Sequence, residues 1–494
     1  MKKIKIIIYL AIPLIAIVVI YTTNNTILGT KNQTKAVTQN LNSIQEESSI
    51  INKIITSNNI QYEKFFVPVT SFSSLNENIS SDNLKKVFTE KQDIFKNVYV
   101  LSENQKELES YFKTKPNASS INSVDELSAK IQKDDIALIP FDKLTPNLKI
   151  IFINNQNILD KNIESSKLVY PKIISTIKSD KNEKTETNRN ANKLNQLVMT
   201  GVTAISRTVQ KMIDIKNDPI YPARAVMDEL KKADLTHVSS ENSFFDGCPE
   251  NPADDLTLCA KTKSLESLKA IGADIVDLNG NHQTDFGLDK FLESIGHIDN
   301  AGLEYFGGGK NENDAAKILY KTIGDAKIAF LSYAYFDSLN GKAYRNIANG
   351  DRPGVNFFEI EKVKADIKNA KQKADFVIVD YQFTESYNIQ PLPEQKNIFR
   401  ETIDFGADLV FGVQAHQPQK IEFYNGKIIF YGLGNFFFDQ MWSQPTRQGI
   451  IPRFTFYNGK LISIEILTTL LYDYSQPRFT NGNERMELLQ DVLP

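Results

Sequence analysis

Gly272-Ala273-Asp274-Ile275-Val276-Asp277-Leu278-Asn279-Gly280-Asn281-His282 is the stretch from which the fold can be read. Gly272 stops the helical pattern of Lys261 to Ile271, an apolar run follows, and the run empties into Gly-Asn-His. Helix, turn, strand and loop in that order form the unit of an α/β domain, where ligands sit beyond the carboxyl ends of the strands. Asn281 and His282 therefore stand where a neutral acceptor and an imidazole can point into a cleft.

The joint that opens this stretch recurs on both sides of it. Ala233-Asp234-Leu235, Ala374-Asp375-Phe376 and Gly406-Ala407-Asp408-Leu409 each end a helical pattern and begin an apolar run. Strands are predicted over 197–202, 235–240, 275–278, 327–333, 376–381 and 409–412. Helices are predicted over 261–271, 288–300, 359–373 and 393–404, with Pro393 suited to a first turn. Stacked β-α-β crossovers account for this rhythm. After Gln419 it changes: Asn425-Gly426 and Asn458-Gly459 each separate two apolar runs, the signature of two-residue hairpins. The expectation is a mixed sheet, or two sheets packed face to face under outer helices.

The rest of the chain adds attachments. At 494 residues it exceeds what one core supports. Its 57 Lys and Arg against 60 Asp and Glu, net −3, give no reason to expect nucleic-acid binding. Met-Lys-Lys-Ile-Lys followed by an uncharged Ile6 to Tyr21 reads as a single-pass membrane anchor over 1–23, with the bulk of the chain extracellular. A cleaved signal peptide is the alternative. Residues 24–58, rich in Asn, Gln, Ser and Thr, read as a flexible stalk. Apolar runs between amphipathic stretches make 59–178 a small α/β domain, and the charged, amide-rich 179–195 a linker to a second domain, 196–494. Export favours a Cys248–Cys259 disulfide over two free thiols.

Polar residues stand at the carboxyl ends of most of the predicted strands of the second domain: Thr200-Gly201-Val202-Thr203, Glu241-Asn242-Ser243, Asn279 to His282, Gln382 to Glu385, Val413 to Gln419, and Gly434-Asn435 with Asp439-Gln440 beyond. They converge at one end of the sheet. In that order, Thr-Gly-Val-Thr, Ser-Glu-Asn-Ser-Phe, Gly-Asn-His-x-x-Asp-Phe-Gly, Gln-Ala-His-Gln-Pro-Gln and Tyr-Gly-Leu-Gly-Asn-Phe-Phe-Phe-Asp-Gln resemble the CapA family of poly-γ-glutamate capsule proteins over about residues 197–472. The resemblance implies a four-layer α/β/β/α metallophosphatase-like sandwich with a metal site at the strand ends.

Three of the family's ligand positions are altered. Val202 follows Gly201 where the family has Asp, Gln382-Phe383-Thr384 replaces His-Trp-Gly, and Gln414 replaces the first histidine of His-Pro-His. Two divalent ions about 3.5–4 Å apart repel by roughly 17–19 kcal/mol at an effective dielectric of 20. Anionic ligands must offset this, and of the carried-over positions only Glu241 is a carboxylate. Glutamine amides are poor ligands beside imidazole and carboxylate. The resemblance thus leaves one divalent ion on Glu241, Asn281, His282 and His416, with Asp439 in reach, or no ion at all. His282 and His416 are the candidate catalytic residues, and Gln382, Gln414 and Asn281 the candidate substrate-binding ones. His237, which alternates with Ser239 and Glu241 on one strand face, reads as a structural histidine, and Gly307-Gly308-Gly309 as a flexible turn rather than a phosphate loop.

The functional expectation is a membrane-anchored, CapA-like surface protein in the synthesis, retention or processing of an extracellular polymer. Its partners would be the anionic polymer or polymer-synthesis membrane proteins. Whether it is a metal-assisted hydrolase or a non-catalytic binder of polymer or sugar stays open, as does a scaffold acting through residues 60–176.

Overall fold

The computed structural model describes residues 58–179, 185–250, 256–335 and 346–494. The chain forms two compact units, one of residues 1–61 with 176–186 and one of 62–175 with 187–494; the second holds the sheets and helices that build the site.

Two mixed sheets carry the site. The first, eight-stranded, places Glu304–Phe306, Ile275–Asp277, Leu235–Ser240 and Leu194–Thr203 side by side and parallel. Gln448–Tyr457, Lys460–Leu471 and Pro477–Phe479 extend it antiparallel. The second, six-stranded, runs Leu319–Ile323, Ala326–Ala334, Phe376–Gln382, Leu409–Val413, Lys427–Phe430, Ile421–Tyr424, with its four middle strands parallel. Strand alternation sorts the side chains into layers. Leu197, Met199, Leu235, Ile275, Ile328, Phe330, Ile378, Leu409 and Phe411 meet in one core between the sheets. Val198, Val238 and Val276 turn the other way, onto the helices Arg207–Lys216, Leu265–Ala270 and Leu288–Asn300. Ala329, Leu331, Val377 and Val379 do the same onto Ile360–Ala370 and Pro393–Asp404. Helix, sheet, sheet, helix is the layer order, the second of the two arrangements expected from sequence.

The recurring Ala-Asp joint has a mechanical explanation. At each of the four joints the aspartate amide donates to the carbonyl of the neighbouring strand's entry: Asp234 to Gln196 (2.8 Å), Asp274 to Thr236 (3.0 Å), Asp375 to Lys327 (2.8 Å) and Asp408 to Val377 (2.8 Å). The carboxylate then accepts the amide N–H of that same residue, at 2.8, 2.8, 2.9 and 2.9 Å respectively. This two-point clamp sets the register of each parallel pair before the ladder begins. Both hairpins are also as expected, with Asn425 and Gly426, and Asn458 and Gly459, at positive φ.

A smaller sheet of Ser119–Ile121, Val98–Leu101, Ile136–Pro140, Asn58–Ser71 and Leu148–Ile150 packs helices Ser81–Thr89, Gln105–Phe112 and Val124–Lys130. Its core takes in Leu194, Tyr457 and Ile462 of the larger body. Residues 187–195 of the segment read as a linker are folded: Arg189 is fully buried and donates to the carbonyls of Ile158 and Asp160 at 2.7 Å each. A composition of charges and amides did not reveal that one guanidinium would be used as an internal strut.

The membrane anchor requires correction. Among the described residues no helix is long and apolar enough to cross a membrane, so a single-pass anchor is not supported. Residues 1–23, from which it was inferred on hydropathy alone, and residues 24–57 of the stalk expected over 24–58 lie outside the described residues; Asn58 opens a strand. The Cys248–Cys259 disulfide is present.

Candidate functional site

The carboxyl ends of both sheets open on the same side, and the polar loops meet there. Gly280 makes the meeting possible: a Cβ on it would lie 2.3 Å from the Glu241 Cα. With none there, the His282 amide donates to the Glu241 carbonyl at 3.1 Å, and Asn242 and His282 form a bridge between the two loops. Asn346 braces the loop further, donating to the Asn281 carbonyl and accepting from Thr284 Oγ1 at 2.6 Å.

Three of the expected residues join in one chain of hydrogen bonds. Gln382 Nε2 donates to Asn281 Oδ1 at 3.0 Å and to Gln414 Oε1. The two sheets are thereby bonded across their strand ends through amides alone. Glu241 is buried close by, and its Oε2 has no hydrogen-bond partner among the described residues.

The histidines are oriented by different devices. The His416 Nδ1 stands 3.0 Å from Asn435 Oδ1. The Asn435 Nδ2 faces three acceptors, the carbonyls of His416 and Thr446 and Gln440 Oε1, at 3.2, 2.9 and 3.0 Å. Its oxygen must therefore face the ring, so Nδ1 carries the proton and Nε2 keeps its lone pair. His282 Nδ1 meets the Asp285 carboxylate at 2.6 Å, which again leaves Nε2 as the free nitrogen. Both rings can thus offer a lone pair to a cation or to a proton of a bound molecule.

Sequence reasoning missed the aromatic wall and one ion pair. Tyr387 lies over the His416 ring (centroids 5.4 Å apart, 23° between planes), and Trp442, 64% exposed, leans on Tyr387. Burial pushes the Tyr387 hydroxyl above its usual range; its hydrogen bond to Glu385 and the Glu241 charge push the same way. Asp439, expected within reach of an ion, is instead held by Arg207, both buried, and by the Thr208 amide at 3.0 Å. Nothing local signals a pairing over such a sequence separation. Gln414, His416, Tyr387 and Arg207 all have positive φ, at 84°, 55°, 45° and 47°. Strained backbone gathers at this cleft, as it does where geometry serves binding or chemistry.

The one cluster of three or more His, Cys, Asp or Glu among the described residues whose ligand atoms lie within 4.8 Å of one another is not at the strand ends. It is His237, Asp277 and Asp380, all buried between the sheets, and it could hold a metal ion. The sequence signal for it was the presence of aspartates inside the apolar runs Ile275–Leu278 and Val377–Tyr381.

The family described as bacterial capsule synthesis protein PGA_cap matches residues 196–440. The capsule biosynthesis protein CapA of Bacillus anthracis is 29% identical over 273 residues, covering 54% of this chain and 65% of that protein. The PGA biosynthesis protein CapA of Bacillus subtilis is 31% identical over 206 residues, covering 42% of this chain and 53% of that protein. The chain thus spans between half and two thirds of these curated relatives. A solved structure of a phosphatase from Mycoplasma pneumoniae is similar over 57% of this chain and 96% of its own, with 14% identity and a TM-score of 0.37.

Proposed function

From the membership of residues 196–440 in the bacterial capsule synthesis protein PGA_cap family, we propose that the protein takes part in the synthesis, retention or processing of a polymer such as poly-γ-glutamate. In this reading the strand-end cleft holds the polymer, and its partners are that polymer and the proteins that make it. The supporting observation is the Gln382 side chain, bonded at once to Asn281 and Gln414. An amide polymer with carboxylate side groups offers the same donors and acceptors as these three residues, and can exchange hydrogen bonds with them.

The same observation argues against the family's two-ion centre here. An amide NH₂ draws together two oxygens that would otherwise face a cation, and a cation repels its N–H dipoles. Asp439 is committed to Arg207, which leaves Glu241 as the sole carboxylate among the ligands expected from sequence. The residues do not fit two metals. The partnerless Glu241 Oε2 favours a second, narrower reading, in which one ion is held by Glu241, His282 and His416 and supports hydrolysis.

Retention of poly-γ-glutamate by the purified full chain, measured by co-sedimentation, tests the first reading. Gln382→Leu with Gln414→Leu should abolish retention; undiminished retention in that double variant refutes it. Turnover of a generic phosphoester, lost in His282→Ala, would instead establish the hydrolytic reading.

A further inference from the structure

We propose that His237, Asp277 and Asp380 form a binding site for one divalent transition-metal ion of the zinc or manganese class, buried between the two sheets and separate from the strand-end cleft. The alternation that builds the layers puts all three side chains inward. His237 shares the strand face of Leu235, Asp277 that of Ile275, and Asp380 that of Ile378, each of which lies in the inter-sheet core. His237 and Asp277 come from neighbouring strands in register (His237 beside Ile275, Ser239 beside Asp277), while Asp380 reaches across from the other sheet.

The hydrogen bonds around the cluster are incomplete. Among the described residues neither ring nitrogen of His237 has a hydrogen-bond partner, nor has Asp380 Oδ1, although His237, Asp277 and Asp380 are all buried. Phe306, Phe330 and Phe411 surround the imidazole at 5.7, 6.3 and 5.4 Å between centroids and can satisfy neither nitrogen. The carboxylates, by contrast, are positioned. Ser332 Oγ donates to Asp277 Oδ2 at 2.6 Å, the Asn279 amide to Asp277 Oδ1 at 3.1 Å, and Ser239 Oγ to Asp380 Oδ2 at 3.3 Å. Gly307, read from sequence as part of a flexible turn, is the residue that admits Asp277: a Cβ there would lie 2.1 Å from Asp277 Oδ1.

Charge and distance fit a single ion. A neutral imidazole with two carboxylates balances a divalent cation, and this donor set suits zinc, manganese or ferrous iron better than calcium or magnesium. Two ligands each about 2.0–2.2 Å from one ion lie roughly 3.3–3.6 Å apart at a tetrahedral angle. His237 Nε2 and Asp380 Oδ2, at 3.6 Å, are too far apart to hydrogen-bond and already at that spacing. A site closed on all sides acquires its ion as the sheets come together, so metal uptake belongs to folding.

The test therefore refolds the full chain. The protein is unfolded with chelator and no reductant, refolded with Zn²⁺, Mn²⁺ or Co²⁺ alone, desalted, and analysed for metal. One equivalent should remain in the wild type and in His282→Ala/His416→Ala, and be lost in both His237→Phe and Asp380→Asn. The Co²⁺ form should show visible ligand-field bands that disappear in His237→Phe. Absence of any retained ion in the refolded wild type overturns the proposal, as does metal retention in His237→Phe equal to wild type. Loss of the ion in the His282/His416 variant, with retention in Asp380→Asn, assigns it to the strand ends and overturns the proposal while leaving the one-ion reading of the cleft standing.

Discussion

Asp408→Ala tests the clamp that sets parallel register. Asp408 is buried, and its Oδ2 accepts the Val377 amide at 2.9 Å, an N–H that is itself inside the protein. Removing the acceptor leaves that donor unsatisfied, at about 1–3 kcal/mol. Asp408 also pairs with Lys371 and Lys427, whose side chains are 38% and 44% exposed. Water replaces much of those pairs, so each adds only about 0–1 kcal/mol. The sum is roughly 1–5 kcal/mol. Asp375 makes the same bond, to the Lys327 amide at 2.9 Å, but at the surface, where water takes over, and its loss should cost about 1 kcal/mol or less. Thermal midpoints by far-ultraviolet circular dichroism should therefore fall much further for Asp408→Ala than for Asp375→Ala. Asp408→Asn keeps an acceptor for Val377 and should lie between wild type and Asp408→Ala. Equal losses in Asp408→Asn and Asp408→Ala would show that the lysine pairs, not the backbone clamp, carry the effect, and would refute the reasoning.

Gly280→Ala should destabilise the chain and abolish polymer retention together, because the new Cβ meets the Glu241 backbone rather than a movable side chain; retention at wild-type level would show that the two loops need not touch. Arg207→Leu strands the buried Asp439 carboxylate and should cost about 3–5 kcal/mol, read as a shift of the denaturation midpoint. Reducing Cys248–Cys259, which closes a sequence separation of 11, should cost about 3 kcal/mol by loss of the constraint on the unfolded chain. Denaturation with and without reductant measures that directly.

Local chemistry was the part of the fold legible in sequence. The four Ala-Asp joints, the two Asn-Gly hairpins and the apolar period are each decided within a few residues, and each is present. The strand-end rule also brought Asn281, Gln382 and Gln414 together. What stayed hidden depends on which strand of one sheet faces which strand of the other. Asp277 and Asp380 are 103 positions apart in sequence numbering, and the pairing of the sheets alone makes them neighbours. His237 read as structural because its strand could be seen and its opposite sheet could not. Arg207 with Asp439, and Tyr387 over His416, are hidden for the same reason. The membrane anchor failed differently: it rested on an uncharged run, with no packing to test it.

The two polar clusters stand on the same strand faces, yet hydrogen bonding divides them. Residues 237, 239 and 241 step up one face and 380 and 382 up another, from the buried trio to the cleft. At the top, the amides of Asn281, Gln382 and Gln414 satisfy one another, so leucines at 382 and 414 trade bonded amides for apolar groups of similar size, a change that costs little. Below, the trio leaves polar atoms unpaired in an aromatic nest. Replacing a buried charged group by apolar residues of similar volume tends to stabilise a protein whose charges lack compensation, whereas removing ligands from a loaded metal site destabilises it. His237→Phe with Asp277→Leu and Asp380→Leu should accordingly raise the thermal midpoint relative to chelator-treated wild type and lower it relative to wild type refolded with its ion. The sign of that difference, measured with and without metal, separates a cation site from a carboxyl pair that shares a proton. A triple variant less stable than wild type in both states would mean that the trio is held by contacts other than charge.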